Sequence, residues 1–396
     1  MTVGPDRMTP DPSKPQHRYV VLDSLRGVCA CMVVLMHFGS DSHFYRLTLL
    51  HNGFLFVDFF FVLSGFVIAT SYGSKLAGGF PIKTFMGLRF ARIYPLHFFM
   101  LMIFLAFELA YALHGAVPGT RVPFVGNYSP ESLIAELFLV QTFVGPDAVP
   151  WNGLSWSIAV EFWTYLLFAL VARFANRLLV PLCLLTMIVA PLYLAVLTDR
   201  NIYVLHDGAL VRCLFGFSAG VLGWKLAPRV QALQFSAWID SLIEIGAVLL
   251  CAVTVSEAGA GRLSLATPCV FLIAVLVFSR QRGLVSKMLQ LRPFVLLGTL
   301  SYSIYLTHIF LLMRFQNVLD FIQNHGGFRL IDSAGGGKAI GRGAILDDIL
   351  TIVFMAGAIT FAYLTYRFIE VPGQRLGRKY FGARKTPAPV AEVQRA

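Results

Sequence analysis

Charged residues are scarce in this chain. Asp, Glu, Lys and Arg make up 13% of its 396 residues, whereas hydrophobic residues make up 57%. Because soluble globular domains carry about 25% charged residues, this composition excludes an ordinary soluble enzyme. The mean hydropathy of +0.70 agrees with that exclusion. The composition predicts an all-α, polytopic membrane helix bundle.

The chain also lacks the cysteine patterns of metal and disulfide proteins. Its six cysteines all lie in or beside apolar runs, and none occurs in a Cys-x-x-Cys or Cys/His ligand spacing. We therefore interpret them as small buried hydrophobic residues and expect no metal site. The net charge of +11 lies in short loops and in the carboxy-terminal tail, which is typical of membrane topology and does not indicate nucleic-acid binding.

Three functional patterns are missing as well. The Gly-Gly-Gly-Lys run at 335–338 does not form a P-loop, because the required Gly-x4-Gly-Lys-[Ser/Thr] spacing is absent. No Gly-x-Ser-x-Gly elbow marks a serine nucleophile. The sequence shows no internal repeat, so the inverted symmetry common in transporters has no support.

Long apolar runs dominate what is present. We predict about ten transmembrane helices plus a short re-entrant or interfacial helix near 133–144, which is too short to cross about 30 Å of hydrocarbon. The predicted spans are 19–38, 53–72, 96–113, 154–173, 178–197, 208–226, 238–256, 263–279, 294–315 and 346–368.

The distribution of basic residues predicts the orientation of these spans. With ten spans, most lysines and arginines fall in the loops on the same side as the two termini. Both termini are then cytoplasmic, as the positive-inside rule requires. We predict a disordered cytoplasmic leader at 1–18, an integral membrane domain at 19–372, and a basic, then Pro/Ala-rich cytoplasmic tail at 373–396.

The first span carries ionisable residues that an ordinary membrane helix would avoid. Asp23, Arg26 and His37 lie within it, although a charged group at the bilayer centre costs at least ~2.5 to 3.5 kcal/mol. Eleven residues separate Arg26 from His37, which places both on nearly the same helical face and about 16 Å apart along the axis. The stripe therefore holds a cation deep in the membrane and an imidazole nearer its outer side.

Each of these residues also has a purely structural interpretation. Arg26 could pair with Asp23, and a single histidine near a helix end is more often a satisfied interfacial group. Asp58 and Glu161 are predicted near the same outer side, and their presence favours His37 as a general base, because a carboxylate can orient an imidazole. The sequence leaves open which of the two carboxylates does so.

A second basic group lies at the predicted cytoplasmic boundary. Arg89 and Arg92 are one helical turn apart. They could simply anchor the helix, but two neighbouring guanidinium groups also suit a polyphosphate ligand.

Six motifs in order give the chain a family resemblance. They are Leu22-Asp-Ser-Leu-Arg-Gly with His37, Phe60-Phe-Val-Leu-Ser-Gly-Phe66, Arg89-x-x-Arg92-Ile-Tyr94-Pro95, Ser155-Trp-Ser-Ile-Ala-Val-Glu161, Leu297-Gly-Thr-Leu-Ser-Tyr-Ser-Ile-Tyr-Leu-Thr-His308 and Glu370-Val-Pro372. Together they cover residues 20–372 and resemble acyltransferase family 3.

The resemblance implies a multi-pass O-acyltransferase of the bacterial inner membrane. Its co-substrate would be cytosolic acyl-CoA, most often acetyl-CoA, and its acceptor a hydroxyl of a cell-surface or exported carbohydrate or lipid-linked glycan, such as an exopolysaccharide or lipopolysaccharide. Carried over to this sequence, the implied catalytic residues are Arg26 and His37, and Arg89 and Arg92 are implied to be needed for activity. We add Tyr94 to the predicted donor site, and Asp58 and Glu161 to the catalytic set.

These patterns give a leading hypothesis and one alternative. In the first, acyl-CoA binds at the inner mouth against Arg89 and Arg92, extends past Arg26, and presents its thioester to a hydroxyl deprotonated by His37. In the second, the protein is a proton-coupled transporter or flippase in which a relay runs through His37, Asp58, Glu161 and His308.

Overall fold

The computed structural model describes residues 19–114, 121–144, 151–198, 200–326, 330–332, 339–340 and 343–382. The predicted leader at 1–18 lies outside these ranges, as do most of the glycine-rich segment and the predicted Pro/Ala-rich end. The helices in the described ranges are α1 (Val20–Phe38), α2 (Thr48–His51), α3 (Phe56–Ile68), α4 (Ser74–Ala77), α5 (Ile82–Leu113), α6 (Pro130–Leu137), α7 (Ser155–Phe174), α8 (Leu179–Leu197), α9 (Ala209–Ala232), α10 (Ala237–Ala258), α11 (Thr267–Phe278), α12 (Leu284–Leu289), α13 (Arg292–Gly326), α14 (Ala344–Thr365) and α15 (Val371–Phe381).

Short irregular segments join some of these helices. The 3-10 turns are Gly53–Leu55, Gly126–Tyr128, Asn176–Leu178 and Arg262–Ala266, and the π-helical turns are Ala69–Gly73 and Tyr366–Glu370. Two strands of two residues each, β1 (Ile331–Asp332) and β2 (Ala339–Ile340), pair antiparallel. The π-helical turns make α3 continuous with α4 and α14 continuous with α15.

The prediction of an all-α polytopic membrane bundle is confirmed. Within the described ranges, nine helices are long and apolar enough to cross a membrane: Val20–Phe38, Gly53–Ala77, Ile82–Leu113, Ser155–Phe174, Asn176–Leu197, Ala209–Ala232, Ala237–Ala258, Arg292–Gly326 and Ala344–Phe381. The remaining predicted span, 263–279, corresponds to a shorter apolar helix, Arg262–Phe278. Its first five residues are a 3-10 turn, and Pro268 lies in the first turn of α11.

Two predicted helix boundaries are wrong, and the two segments concerned pack closely against each other. The third span begins at Ile82 and not at Leu96. Pro95, which directly precedes the predicted start, lies inside α5. The last helix continues to Phe381. A Cβ atom on Gly373 would lie 2.4 Å from the Pro95 ring, and one on Gly377 would lie 2.1 Å from the Ala91 side chain. The proline therefore fits against a glycine face of the last helix, and α5 remains helical through it.

The predicted short helix near 133–144 is present in a shifted position. Helix α6 begins at Pro130, with Ser129 as its N-cap accepting a hydrogen bond from the Ser132 amide. It ends at Leu137, and Leu139 adopts a left-handed φ of 56°. Residues 138–144 form turns, so the helix is shorter than predicted.

Two helix crossings at glycines define the centre of the bundle. Helices α1 and α13 approach so closely that a Cβ on Gly27 would lie 2.3 Å from the Leu297 carbonyl carbon, and one on Gly298 would lie 2.4 Å from the Asp23 carbonyl oxygen. Helices α3 and α9 cross in the same way, because a Cβ on Gly220 would lie 2.0 Å from the Val62 oxygen. Small residues at crossings are how membrane helices bring their backbones together.

Candidate functional site

A cavity of about 150 Å³ lies among α1, α3, α5, α7 and α13, and we call it the central cavity. It runs along α3 from Val57 to Ile68, a rise of about 16 Å. Polar and charged side chains contribute much of its wall. Its lining residues are Arg26, Val57, Phe60, Phe61, Leu63, Ser64, Val67, Ile68, Arg89, Arg92, Ile93, Ser157, Ile158, Glu161, Tyr165, Ser301, Tyr302 and Tyr305.

Arg26 reaches this cavity because α1 and α13 cross at glycine. Its Nε donates to Ser301 Oγ at 2.8 Å, and its Nη2 donates to the Gly298 oxygen at 3.3 Å. Asp23 Oδ1 lies 3.6 Å from Nη2. The predicted ion pair therefore exists, but two further contacts hold the guanidinium at the cavity wall.

Arg89 and Arg92, predicted as equivalent, have different surroundings. Arg92 forms a salt bridge with Glu370, whose buried carboxylate also accepts from Ser303 Oγ at 2.8 Å and Gln374 Nε2 at 3.0 Å. Arg89 lies over the Tyr72 ring at 5.3 Å, and its buried Nε has no hydrogen-bond partner within the described residues. Among the described residues, no carboxylate lies within salt-bridge distance of Arg89, which lines the same cavity as Glu161.

Glu161 is the acidic side chain that lines the central cavity. Its Oε1 accepts from Tyr165 Oη at 2.6 Å, and Tyr165 Oη lies 2.8 Å from Ser64 Oγ. Both Tyr165 and Ser64 also line the cavity. Glu161 thus shares a polar wall with the arginines and does not contact His37.

His37 lies outside the cavity lining, above Arg26 on α1. Its Nδ1 is 2.9 Å from the Val33 oxygen and 3.2 Å from Nε2 of His308 on α13. The two imidazole centroids are 5.0 Å apart. The side chain that contacts His37 is therefore a second histidine. Sequence analysis included His308 in a family motif but gave it a role only in the relay hypothesis.

Tyr305 connects the cavity to this histidine pair. Its ring is 5.7 Å from Phe60 and 6.2 Å from His308, measured between centroids. Its hydroxyl lies 2.9 Å from Ser157 Oγ. Phe60 and Tyr305 both line the cavity, so they form an aromatic wall at the end nearest the histidines.

Two predicted site residues have other partners. Both carboxylate oxygens of Asp58 accept from Arg212, at 2.9 Å from Nε and 2.8 Å from Nη2. Because both groups are buried, this ion pair joins α3 to α9 and leaves Asp58 unable to orient His37. Tyr94 donates to the Leu137 oxygen at 3.0 Å and stacks on Phe90 at 4.1 Å, outside the cavity lining. Its predicted contact with the donor has no support in this geometry.

A buried acid, Glu136, holds the first residues of α7 in place. Glu136 Oε2 accepts from Ser155 Oγ at 3.0 Å, and Oε1 accepts from the Asn152 amide at 3.3 Å. Asn152 Nδ2 in turn donates to the Leu306 oxygen at 3.0 Å, two residues before His308. Burial disfavours the charged carboxylate and raises the pKa of Glu136 to about 8. This network fixes the start of α7 beside the part of α13 that carries His308.

The relay hypothesis requires a continuous chain of polar groups, and the described residues do not form one. His37 contacts His308, Asp58 contacts Arg212, and Glu161 contacts Tyr165. Glu370 and His308 are the functional candidates that the predicted site omitted. Both occur in the quoted motifs, and their distance in sequence from Arg92 and His37 concealed the contacts.

Comparison with known proteins gives two matches. A family model described as "Acyltransferase domain" matches residues 19–367. "Protein 2 in picA locus" from Rhizobium radiobacter is 42% identical over 66 residues, which are 16% of this chain and 30% of that protein. The alignment therefore spans less than a third of that relative. No solved structure matches the chain.

Proposed function

The chain belongs to this acyltransferase family, and we propose that it transfers an acyl group from cytosolic acyl-CoA to a hydroxyl of a surface or exported carbohydrate. The acetyl group is the proposed acyl group. The enzyme lies in the bacterial inner membrane with both termini in the cytoplasm. The observation that carries the proposal is a cavity lined by Arg26 of α1 and by Arg89 and Arg92 of α5, with His37 about 16 Å beyond Arg26 along α1.

The charge of the cavity supports an anionic donor. Arg26, Arg89 and Arg92 line it, whereas Glu161 is the one acidic lining residue among those that the structure describes. Glu370 balances Arg92, which leaves Arg89 as the cation with no acidic partner in the described part of the chain. Guanidinium groups bind phosphate strongly through paired hydrogen bonds. The phosphates of acyl-CoA would therefore lie near Arg89, at the cytoplasmic end.

The reaction then takes place at the level of His37. The pantetheine arm extends past Arg26 toward the aromatic wall of Phe60 and Tyr305, which lies between the cavity and the histidines. The acceptor hydroxyl approaches from the other side of the membrane and gives its proton to His37. Its oxygen attacks the thioester carbonyl, the C–O bond forms, the C–S bond breaks, and the thiolate leaves. The donor and the acceptor thus reach the same point from opposite sides.

The test measures ester content in cells. A strain deleted for this gene receives the wild type, His37→Ala or His325→Ala, and O-acyl groups on its purified surface polysaccharides are quantified by proton NMR. His325 is a matched control, because its Nδ1 also contacts the carbonyl four residues earlier, yet its side chain is exposed.

The expected result is a defined acyl signal with the wild type and with His325→Ala, and none with His37→Ala. Membrane levels of the three proteins should be equal. If the deletion strain and the wild type carry identical esters, the carbohydrate acceptor is wrong. If His37→Ala restores the signal, His37 is not the base.

A further inference from the structure

Contacts with backbone carbonyl oxygens determine which nitrogen of His37 and of His308 carries a proton. His37 Nδ1 is 2.9 Å from the Val33 oxygen, and His308 Nδ1 is 3.1 Å from the Ile304 oxygen. A carbonyl oxygen only accepts, so each Nδ1 must donate. In their neutral forms, both imidazoles therefore carry the proton on Nδ1 and a lone pair on Nε2.

The same assignment explains why the two rings approach each other. His37 Nδ1 lies 3.2 Å from His308 Nε2, so its N–H is shared between the Val33 oxygen and the His308 lone pair. With the opposite tautomer of His37, two lone pairs would face each other at Val33. The geometry is thus consistent with one pair of neutral tautomers, and it leaves the lone pair of His37 Nε2 outside this contact.

We infer that His308 is the positioning residue of the reaction: its Nε2 accepts the Nδ1–H of His37 and so keeps the lone pair of His37 Nε2 available to the acceptor hydroxyl. The inference rests on the proposed function for the identity of the reaction. His308 takes the place that the sequence interpretation gave to Asp58 or Glu161. An orienting partner that fixes a tautomer is the recurrent requirement of a histidine base.

The surroundings hold His308 in this position. The residue is fully buried on α13, and Tyr305 packs against its ring. The hydrogen bond that Asn152 Nδ2 donates to the Leu306 oxygen fixes the neighbouring turn of α13. A buried, neutral acceptor also avoids the cost of an unpaired carboxylate inside the membrane.

When His37 takes the hydroxyl proton, it becomes an imidazolium with a proton on each nitrogen. Its Nδ1–H bond to His308 Nε2 is then charge-assisted, and such bonds are about twice as strong as neutral ones. His308 therefore stabilises the charge that forms on His37 during attack. This contribution depends on an acceptor atom at the Nε2 position and not on a second titrating group.

The test uses two substitutions of His308 that differ only in this acceptor. His308→Gln places a carbonyl oxygen near the former Nε2, whereas His308→Leu fills similar space with apolar atoms. Transfer is measured in proteoliposomes with radiolabelled acetyl-CoA and with surface polysaccharide purified from the deletion strain. We expect His308→Gln to keep kcat within about tenfold of the wild type and His308→Leu to lose at least about a hundredfold, with KM for acetyl-CoA unchanged in both. Equal kcat for His308→Leu and the wild type overturns the inference.

A second measurement does not depend on activity. In protein labelled with 15N-histidine, the His37 signals are identified by their loss in His37→Gln. The wild type should show a protonated Nδ1 and an unprotonated Nε2, and His308→Leu should show a mixture of tautomers. A protonated Nε2 in the neutral wild-type ring overturns the inference, even if both His308 variants are inactive. Absence of acyl transfer by the wild type would instead refute the proposed function and leave this measurement valid.

Discussion

Arg92 and Glu370 form a salt bridge between α5 and the π-helical turn before α15, and the Glu370 carboxylate is buried. Arg92 is partly exposed, but its removal would leave the buried Glu370 carboxylate without its cation, which is destabilising. The bridge also lies beside the contact of Gly373 with Pro95, so it joins two helices that already pack closely. The pair therefore has a structural role in addition to its position at the cavity.

We predict that Arg92→Gln lowers the thermal unfolding midpoint in detergent by several degrees. Since the loss arises from the unpaired carboxylate, Glu370→Gln in the same chain should recover most of it. The double variant keeps an acceptor for Ser303, because a glutamine oxygen replaces a carboxylate oxygen. Equal midpoints for Arg92→Gln and the wild type would contradict this account.

Arg89 should behave differently, because the described residues give it no acidic partner. We predict that Arg89→Gln leaves the unfolding midpoint within about a degree of the wild type and raises KM for acetyl-CoA about tenfold, with little change in kcat. In the proposed complex the guanidinium contacts the donor phosphates in both the ground state and the transition state, so its loss weakens binding more than turnover. Thermal unfolding in detergent measures the midpoint, and steady-state kinetics at two salt concentrations measure KM and kcat.

The control for Arg89 is Lys83→Gln. Lys83 is an exposed basic residue on the same helix and does not line the cavity. Its removal changes the net charge equally and should leave KM unchanged. A similar rise in KM for both variants would show that the effect is general electrostatics and not a contact at the cavity.

The sequence predicted the spanning helices well because long apolar runs report directly on membrane insertion. It failed at Pro95 because a proline normally disturbs a helix, yet α5 continues through Pro95, whose ring packs against Gly373. The partner of His37 was equally hidden. His308 reaches His37 because Gly27 and Gly298 let α1 and α13 touch, and no local pattern specifies that crossing. Likewise, Asp58 is separated by 154 residues from Arg212, whose side chain determines its role.

The Gly27 and Gly298 crossing is itself testable. We predict that Gly298→Ala reduces kcat at least about tenfold, because a Cβ there would lie 2.4 Å from the Asp23 oxygen and would push α1 away from α13. That movement would shift both Arg26 and His37 from their partners on α13. Gly246→Ala on α10 is the matched control, since a Cβ there meets nothing within 4 Å. Full activity of Gly298→Ala would show that the crossing tolerates separation.

Glu136 makes stability depend on pH in a direction that can be worked out. Its pKa is about 8 in the folded protein, against the ordinary value of 4.5, because burial disfavours the charged carboxylate. Between these two values the folded state binds more protons than the unfolded state, so stability falls as pH rises. We predict that unfolding midpoints in detergent decrease from pH 5 to pH 8, and that Glu136→Gln removes part of this decrease.

Glutamine keeps an oxygen for the Asn152 amide and carries no charge, so the variant should be more stable than the wild type at pH 8 by on the order of a few kcal/mol. Glu131→Gln, an exposed acid on the same helix, is the control and should leave the pH dependence intact. Parallel pH profiles for Glu136→Gln and the wild type would contradict the assignment.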